Sequence, residues 1–373
     1  MENNKMDKKM QTPNKHIIIS GGGTGGHVFP AISIANAIKE LDPHAEILFV
    51  GAEGRIEMTK VPEAGYKIIG LPVRGIQRKI TLKNLAVPFK LIKSLWVSRK
   101  IIHSFKPDVV VGVGGYASGP VLRVANQKGI PTLIQEQNSY AGVTNRLLAK
   151  KARKICVAYE GMEQYFPAEN IHFTGNPVRT NIIPTEEKKK EGLKHFHLSA
   201  DRKTILSIGG SLGAGSINES IMAHLKRFEK RPVQLLWQCG KYYHQKARET
   251  LSSYQLENVH LVDFIDRMDL AYSVADVIIS RAGAGTISEL ALVKKPVILV
   301  PSPNVAEDHQ TKNARSLSDK HAAILIHDQE AKEKLIPETM QLLEDTEQLN
   351  ELAKNIETIA KPNSAKEIAE EIF

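Results

Sequence analysis

The sequence predicts an α/β protein of two Rossmann-like domains, each a doubly wound parallel sheet, facing one another across a cleft. Three observations predict it. Apolar strand-like runs alternate with stretches of helical periodicity, the alternation occurs twice along the chain, and the two series echo each other. At 373 residues the chain exceeds what one hydrophobic core usually organises, so two domains are expected.

Residues 1–14 carry lysines and polar residues without apolar periodicity and read as a solvated, mobile tail; they lack the apolar core of a signal peptide. In residues 15–180 the runs HIIIS, AEILFVG, DVVVGVG and PTLIQE have the continuous apolar character of strands buried on both faces. Between the first two, Ala31, Ile34, Ala35, Ile38 and Leu41 recur at helical spacing. A charged, weakly apolar stretch, PTEEKKKEGLKHFHLSADRK, marks a connector over 181–202. A second series over 203–358 follows, in KTILSIGG, VQLLWQCG, VHLVDFI, DVIISRAG and KPVILVP. The closing segment 359–373 contains AKEIAEEIF, with helical spacing.

The echo is specific. IIISGGGTGG is answered by ILSIGGSLGAG, and DVVVGVGGYASGP by DVIISRAGAGTISE, with Asp108 and Asp276 each opening a strand and Pro131 and Pro296 each opening the next. Two nucleotide-binding halves with loops at the carboxyl ends of both sets of strands account for it.

Composition narrows the function. With 42% hydrophobic and 24% charged residues the chain has the make-up of a soluble globular protein. Its two cysteines, Cys156 and Cys239, sit in no metal-ligand or redox spacing, which fits a reducing cytoplasm. The net charge of +9 favours a polyanionic partner, and no helix-turn-helix, zinc-finger or RRM signature points to nucleic acid.

Glycine-rich loops follow four strands: SGGGTGGH, GVGGYASG, GGSLGAG and RAGAGTISE. Such loops lead into helix N-termini, whose free N–H groups and positive dipole end hold phosphate. The first matches G-x-G-x-x-G through Gly21, Gly23 and Gly26, with Glu53 placed as the ribose acid of an NAD site, so an NAD-dependent oxidoreductase is one reading. Against it, a polar His27 follows the last glycine and one dinucleotide does not need four cradles. Two diphosphate-bearing ligands would use them all.

The stretches GGGTGGHVFPAISIA, GVGGYASGP, EQNSYAGVTNRLLA, TGNPVR, GGSLGAGSIN and SRAGAGTISELALVKKPVILVP, in that order from about residue 15 to beyond 315, resemble the MurG family of bacterial cell-wall N-acetylglucosaminyltransferases. The resemblance implies the two-domain glycosyltransferase B fold, with the C-terminal helix packing back on the first domain. It implies inverting transfer of N-acetylglucosamine from UDP-N-acetylglucosamine to the C4 hydroxyl of the muramoyl sugar of lipid I, forming lipid II in peptidoglycan synthesis. Rival readings within the fold are a transferase for a different lipid acceptor and a UDP-sugar 2-epimerase, which would turn over without an acceptor.

The resemblance places the donor in the second half. Ala284, Gly285 and Thr286 meet its diphosphate, Glu289 its ribose, the backbone of Ile265 its uracil, and Ser211, Arg179 and Gln310 complete the set; Gln310 stands beside His309 where the family often has two glutamines. Each has a plainer alternative: an acid favoured by the helix dipole for Glu289, a surface cation for Arg179, strand-end packing for Ile265. The acceptor is expected in the first half, at Thr24, Gly25, Gly26, Gly115 and Tyr116. Thr24, Gly25, Gly26 and Asn138 are assigned to the donor as well. A packing ring is the alternative for Tyr116 and a helix cap for Asn138.

The attacking hydroxyl must lose a proton, and an imidazole suits that task at neutral pH, so His27 is the candidate base, or the group that orients the acceptor. Asn138 is assigned beside it. No Asp-x-Asp pair stands at a strand end, so no obligate metal or other cofactor is expected, helix N-termini and Arg179 taking the cation's part.

A lipid-linked acceptor requires contact with a membrane. Over RGIQRKITLKNLAVPFKLIKSLWVSRKII, Arg78, Lys79, Lys83, Lys90, Lys93, Arg99 and Lys100 interleave with Leu82, Leu85, Phe89, Ile92, Leu95 and Trp96. Apolar tips ringed by cations suit an anionic lipid surface, and an ordinary amphipathic helix is the alternative. The expected location is cytoplasmic, peripheral on the inner face of the cell membrane.

Overall fold

The computed structural model describes residues 14–73, 87–179, 181–210, 212–305 and 308–373. The chain begins with β1 (His16–Ser20), α1 (Gly25–Leu41), β2 (Glu46–Ala52), α2 (Glu57–Glu63), β3 (Lys67–Leu71), α3 (Val87–Phe105) and β4 (Val109–Gly112). Next come α4 (Ser118–Gln127), β5 (Thr132–Glu136), α5 (Val143–Ala149), β6 (Lys154–Val157), β7 (Ile171–Phe173), α6 (Glu186–His195) and β8 (Lys203–Ile208). The second series runs α7 (Gly215–Ala223), β9 (Val233–Gln238), α8 (His244–Ser252), β10 (Val259–Val262), α9 (Met268–Val274) and β11 (Val277–Ser280). It closes with α10 (Ala284–Val293), β12 (Val297–Leu299), α11 (His309–Ser318), β13 (Ile324–Leu325), α12 (Ala331–Glu344), α13 (Thr346–Glu357) and α14 (Ser364–Glu370).

Two compact units form. One runs to Gln135 and adds Val143–Ile155 and Lys366–Phe373; the other comprises Glu136–Gly142 and Cys156–Ala365. The seven-stranded sheet has the order β3-β2-β1-β4-β5-β6-β7, and the six-stranded sheet the order β10-β9-β8-β11-β12-β13. In each, the first strand of its series sits between the second and the fourth. β1 pairs in parallel with β2 and β4, with Ser20 opposite Val50 and Gly112. β8 pairs in parallel with β9 and β11, with Ile208 opposite Gln238 and Ser280.

This order fixes where ligands can go. Connections from β1 and β4 leave in opposite directions, opening a crevice at the strands' carboxyl ends, and β8 and β11 do the same. The four glycine loops read from the sequence are the four loops bounding these two switch points.

The repeated aspartates have one structural role. Asp108 Oδ2 accepts the His16 N–H at 2.8 Å and Asp276 Oδ2 accepts the Thr204 N–H at 2.7 Å. Their own N–H groups donate to His16 and Thr204 carbonyls, so each acid locks the fourth strand to the first before the ladder begins.

Central strands match their apolar reading. Ile17, Ile18 and Ile19 are fully buried, as are Val110 and Val111 in β4. In the second unit Trp237 is buried with its indole N–H donating to Asn218 Oδ1 at 2.8 Å, while Asn218 Nδ2 donates to the Cys239 carbonyl at 2.8 Å. Cys156 and Cys239 are buried thiols, not joined in a disulfide.

The sequence runs did not include β3, β6, β7 and β13, which lie toward the sheet edges. Three of them are short or half exposed: β3 alternates between exposed and partly buried positions up to Leu71, and β7 and β13 contain no buried residue. The stretch 181–202, expected as a connector, contains α6, whose N-cap Thr185 accepts the Lys188 N–H. It packs on α9 so closely that a Cβ at Gly192 would lie 2.9 Å from the Leu270 carbonyl oxygen. On α1, Leu41 continues the periodicity but is exposed, at the helix's last residue. At the chain end Glu371 pairs with Lys154 at 3.0 Å, and Lys15 Nζ donates to the Ile372 carbonyl at 3.2 Å.

Replacing Asp276 with Ala leaves the Thr204 amide without its side-chain acceptor in a partly buried setting. We expect a loss of about 1–2 kcal/mol in urea unfolding. Asp108→Ala, at the exposed counterpart, is expected to cost less.

Candidate functional site

In the first unit, β1 ends at Ser20 and the chain passes through Gly21–Thr24 into α1. Thr24 is extended, at φ −146° and ψ 160°, and its side chain makes no cap bond. The amides of Thr24, Gly25 and Gly26 precede the first intrahelical donor, the His27 N–H, so they have no helical partner to donate to. His27 stands on the first turn, its N–H donating to the Thr24 carbonyl at 3.1 Å and its Nδ1 lying 3.2 Å from Thr24 Oγ1.

The β4–α4 loop approaches this turn at Gly115, whose φ is +83°. A Cβ there would overlap the Gly22 carbonyl oxygen, so only glycine permits the two loops to meet. Tyr116 beside it is 56% exposed and is not a buried packing ring. Thr24, Gly25, Gly26, His27, Gly115 and Tyr116 are therefore gathered at one switch point.

Glu53, placed by the NAD reading as a ribose acid, is exposed. The acid at the loop is Glu57, 1% exposed, which accepts the Gly23 N–H at 2.9 and 3.0 Å. That amide is one a dinucleotide's pyrophosphate would need. The sequence reading missed Glu57, because an acid in the first turn of a helix is ordinarily a solvated one.

In the second unit the segment 136–142 is tied by side chains. Glu136, 2% exposed, accepts the Asn138 N–H at 3.0 Å through Oε1 and the Gly142 N–H at 2.9 Å through Oε2. Asn138 Oδ1 accepts from Asn313 Nδ2 at 3.3 Å. Asn138 thus bonds to α11 and does not cap the helix that follows it. Asn313 Oδ1 accepts from Ser139 N–H and Oγ at 3.1 and 3.0 Å, and Asn176 Nδ2 donates to the Gln137 carbonyl and to Ser288 Oγ, both at 3.0 Å. The sequence reading missed Asn313 and Asn176, since a polar residue within a helix or loop looks solvated until its neighbours are known.

These bonds gather around the start of α10. Gly283 is its N-cap and no acidic residue stands in its first turn. Ala284, Gly285 and Thr286 are partly exposed, and a Cβ at Gly285 would meet open space. One turn on, Glu289 Oε1 accepts from Arg179 Nε at 3.0 Å and Oε2 from the Tyr272 hydroxyl at 3.1 Å. Burial, reinforced by the Glu289 charge, holds the Tyr272 hydroxyl well above its usual pKa, so it remains a donor. Half of the Arg179 side chain is exposed.

Gln310, on the first turn of α11, accepts the Ser302 N–H at 2.8 Å through Oε1. Ile265 as a whole residue is 3% exposed and packs in the core. Arg281 donates to the Val300 and Pro301 carbonyls and pairs with Asp328, pinning the ends of β11 and β12. Ser211 lies outside the described residues.

Among the described residues no group of three or more His, Cys, Asp or Glu side chains converges to hold a metal ion, and no helix is long and apolar enough to cross a membrane. On α3, Phe89, Ile92 and Trp96 are exposed, and Lys100 Nζ lies 3.6 Å from the Trp96 ring centre. Trp96, Arg99, Lys100, His103 and Lys128 line a groove beside α4. Arg78, Lys79, Leu82, Lys83 and Leu85 lie outside the described residues.

Residues 17–157 match the glycosyltransferase family 28 N-terminal domain and residues 204–372 the family's C-terminal domain. A Bacteroides fragilis protein is 56% identical over 373 residues, covering 100% of this chain and 98% of its own. One from Parabacteroides distasonis is 59% identical over 356 residues, covering 95% and 97%. Both are named UDP-N-acetylglucosamine–N-acetylmuramyl-(pentapeptide) pyrophosphoryl-undecaprenol N-acetylglucosamine transferase. The crystal structure of Acinetobacter baumannii MurG superposes with a TM-score of 0.79 at 30% identity, covering 96% of this chain and 99% of that one.

Asn313 is fully buried and holds Asn138, Ser139 and the Ala282 carbonyl together. Asn313→Ala is expected to destabilise the protein by about 2 kcal/mol or more in denaturant unfolding, because several buried polar groups lose their partners at once.

Proposed function

The chain belongs to glycosyltransferase family 28, and on that basis we propose that it transfers N-acetylglucosamine from UDP-N-acetylglucosamine to the C4 hydroxyl of the muramoyl sugar in a polyprenyl-diphosphate-linked N-acetylmuramoyl-pentapeptide, with inversion. It is an enzyme, a glycosyltransferase of the two-domain glycosyltransferase B fold. The observation that carries the reaction is identity of 56% over the whole chain to a relative named for that transfer. The same identity favours this reading over a different lipid acceptor or a 2-epimerase.

In the reaction the acceptor oxygen attacks the anomeric carbon, the bond from that carbon to the UDP oxygen breaks, and the acceptor's proton leaves for a base. His27 is the base in this reading. Thr24 Oγ1 beside Nδ1 can accept the proton on that nitrogen, leaving Nε2 to take the one from the hydroxyl. The free amides of Thr24, Gly25 and Gly26, with Gly115 and Tyr116, meet the acceptor's diphosphate and sugar.

On the donor side, the first-turn amides of α10 at Ala284, Gly285 and Thr286 receive the diphosphate and stabilise charge as UDP departs. Glu289 receives the ribose hydroxyls. Tyr272 holds one carboxylate oxygen while Arg179 gives up the other and turns its guanidinium to phosphate. The Ile265 backbone reads uracil, and Ser211, Asn138 and Gln310 contact the donor, Gln310 with its Oε1 already fixed by Ser302. Helix dipoles and Arg179 do the work a divalent cation would otherwise do.

The acceptor's lipid places the enzyme against the cytoplasmic face of the membrane. Phe89, Ile92 and Trp96 enter the headgroup boundary while the lysines and arginines of α3 meet anionic lipid.

Two measurements test this. With labelled donor and a short-chain acceptor, transfer should proceed in chelator, and His27→Ala should lower kcat by about 10²–10⁴-fold with UDP affinity unchanged. A His27→Ala enzyme at the wild-type rate removes the base assignment, and loss of transfer in chelator removes the metal-free mechanism. Serine at Phe89, Ile92 and Trp96 together should weaken binding to anionic vesicles and leave turnover of the short-chain acceptor unchanged; equal loss of both would refute the membrane role.

A further inference from the structure

We propose that Glu57 is a positioning residue for transfer: its buried carboxylate fixes the backbone of the β1–α1 loop, and so sets where Thr24 and His27 stand. The carboxylate spans two elements. Oε1 accepts the Ala52 N–H at the end of β2 at 2.9 Å and the Gly23 N–H at 3.0 Å, and Oε2 accepts the same Gly23 N–H at 2.9 Å. The side chain is 1% exposed.

The surrounding sequence is cleared for it. A Cβ on Gly22 would overlap the carboxylate, and one on Gly51 would lie 2.6 Å from Glu57 Cγ. Gly22 and Gly23 have φ of +145° and +93°, conformations that L side chains rarely adopt. Such a backbone persists only where its surroundings over-determine it. Here the surroundings are the Glu57 carboxylate on one side and Gly115 of the β4–α4 loop on the other, and the next residue is Thr24, whose hydroxyl faces His27.

The chemistry requires an acid. An amide in its place presents one oxygen and one NH2, and because Gly23 N–H faces both carboxylate oxygens, either orientation brings a donor against a donor. The charge also satisfies the Gly23 amide internally, which leaves anion binding to the amides from Thr24 onward.

The proposal rests on the transferase reading with His27 in the site, and the experiment separates the two. In the full-length protein, Glu57→Gln is expected to lower kcat at least about tenfold with UDP affinity unchanged, and to lower the thermal unfolding midpoint because a buried donor then faces a donor. Amide hydrogen exchange should quicken at Gly23 and Thr24 and stay unchanged in β8. Gly51→Ala, which crowds the carboxylate without removing it, should move kcat and loop exchange in the same direction. Wild-type kcat in Glu57→Gln, or unaltered exchange at Gly23, overturns the proposal. Loss of kcat matched by an equal loss of UDP affinity and by quickened exchange in β8 in both variants also overturns it, marking Glu57 as merely structural. With His27→Ala run alongside, an active His27 variant beside an impaired Glu57→Gln removes the base assignment and upholds the loop anchor.

Discussion

The parallel pairing of a first strand with a fourth, β1 with β4 and β8 with β11, is the constraint on which the rest of this protein depends. A parallel sheet covered by helices on both faces has its central strands out of water, so they must be apolar and every backbone group must pair. At the switch between crossover directions, the carboxyl ends of two neighbouring strands are left uncovered, and the loops there are the part of each sheet free to meet a ligand. The chain places its glycines at those ends and aspartates at the opposite ends, where Asp108 and Asp276 bind the amides of His16 and Thr204.

Buried carboxylates organise the irregular backbone around those openings. Glu57 binds Gly23 and Ala52, and Glu136 binds Asn138 and Gly142. In both cases an acid accepts N–H groups that no strand or helix can satisfy, and an unpaired amide in such a place is costly. A loop fixed in this way presents its remaining amides in a defined direction, as a site for developing negative charge requires.

The second unit shows the same economy with side chains. Glu289 is held by Tyr272 on one oxygen and Arg179 on the other. The buried tyrosine keeps the carboxylate oriented, while the arginine on its other oxygen is half exposed. Asn313 and Asn176 join the segment 136–142 to α11 and to the start of α10, so residues distant in sequence form one polar scaffold.

Sequence by itself determined the fold class, the central strands and the position of the four glycine loops, because continuous apolar runs and repeated glycines are properties of neighbouring residues. The family resemblance pointed to Thr24 and Glu289, and the glycine loop to His27, as candidate site residues. The sequence did not reveal β3, β7 or β13, whose half-exposed residues carry no continuous apolar signal. Nor did it reveal α6 within a charged stretch, or Glu57 and Asn313. An acid or amide is read from local sequence as solvated, and only the tertiary structure, by closing off water and bringing Gly23, Ala52, Asn138 and Ser139 within hydrogen-bonding distance, decides that it is a strut.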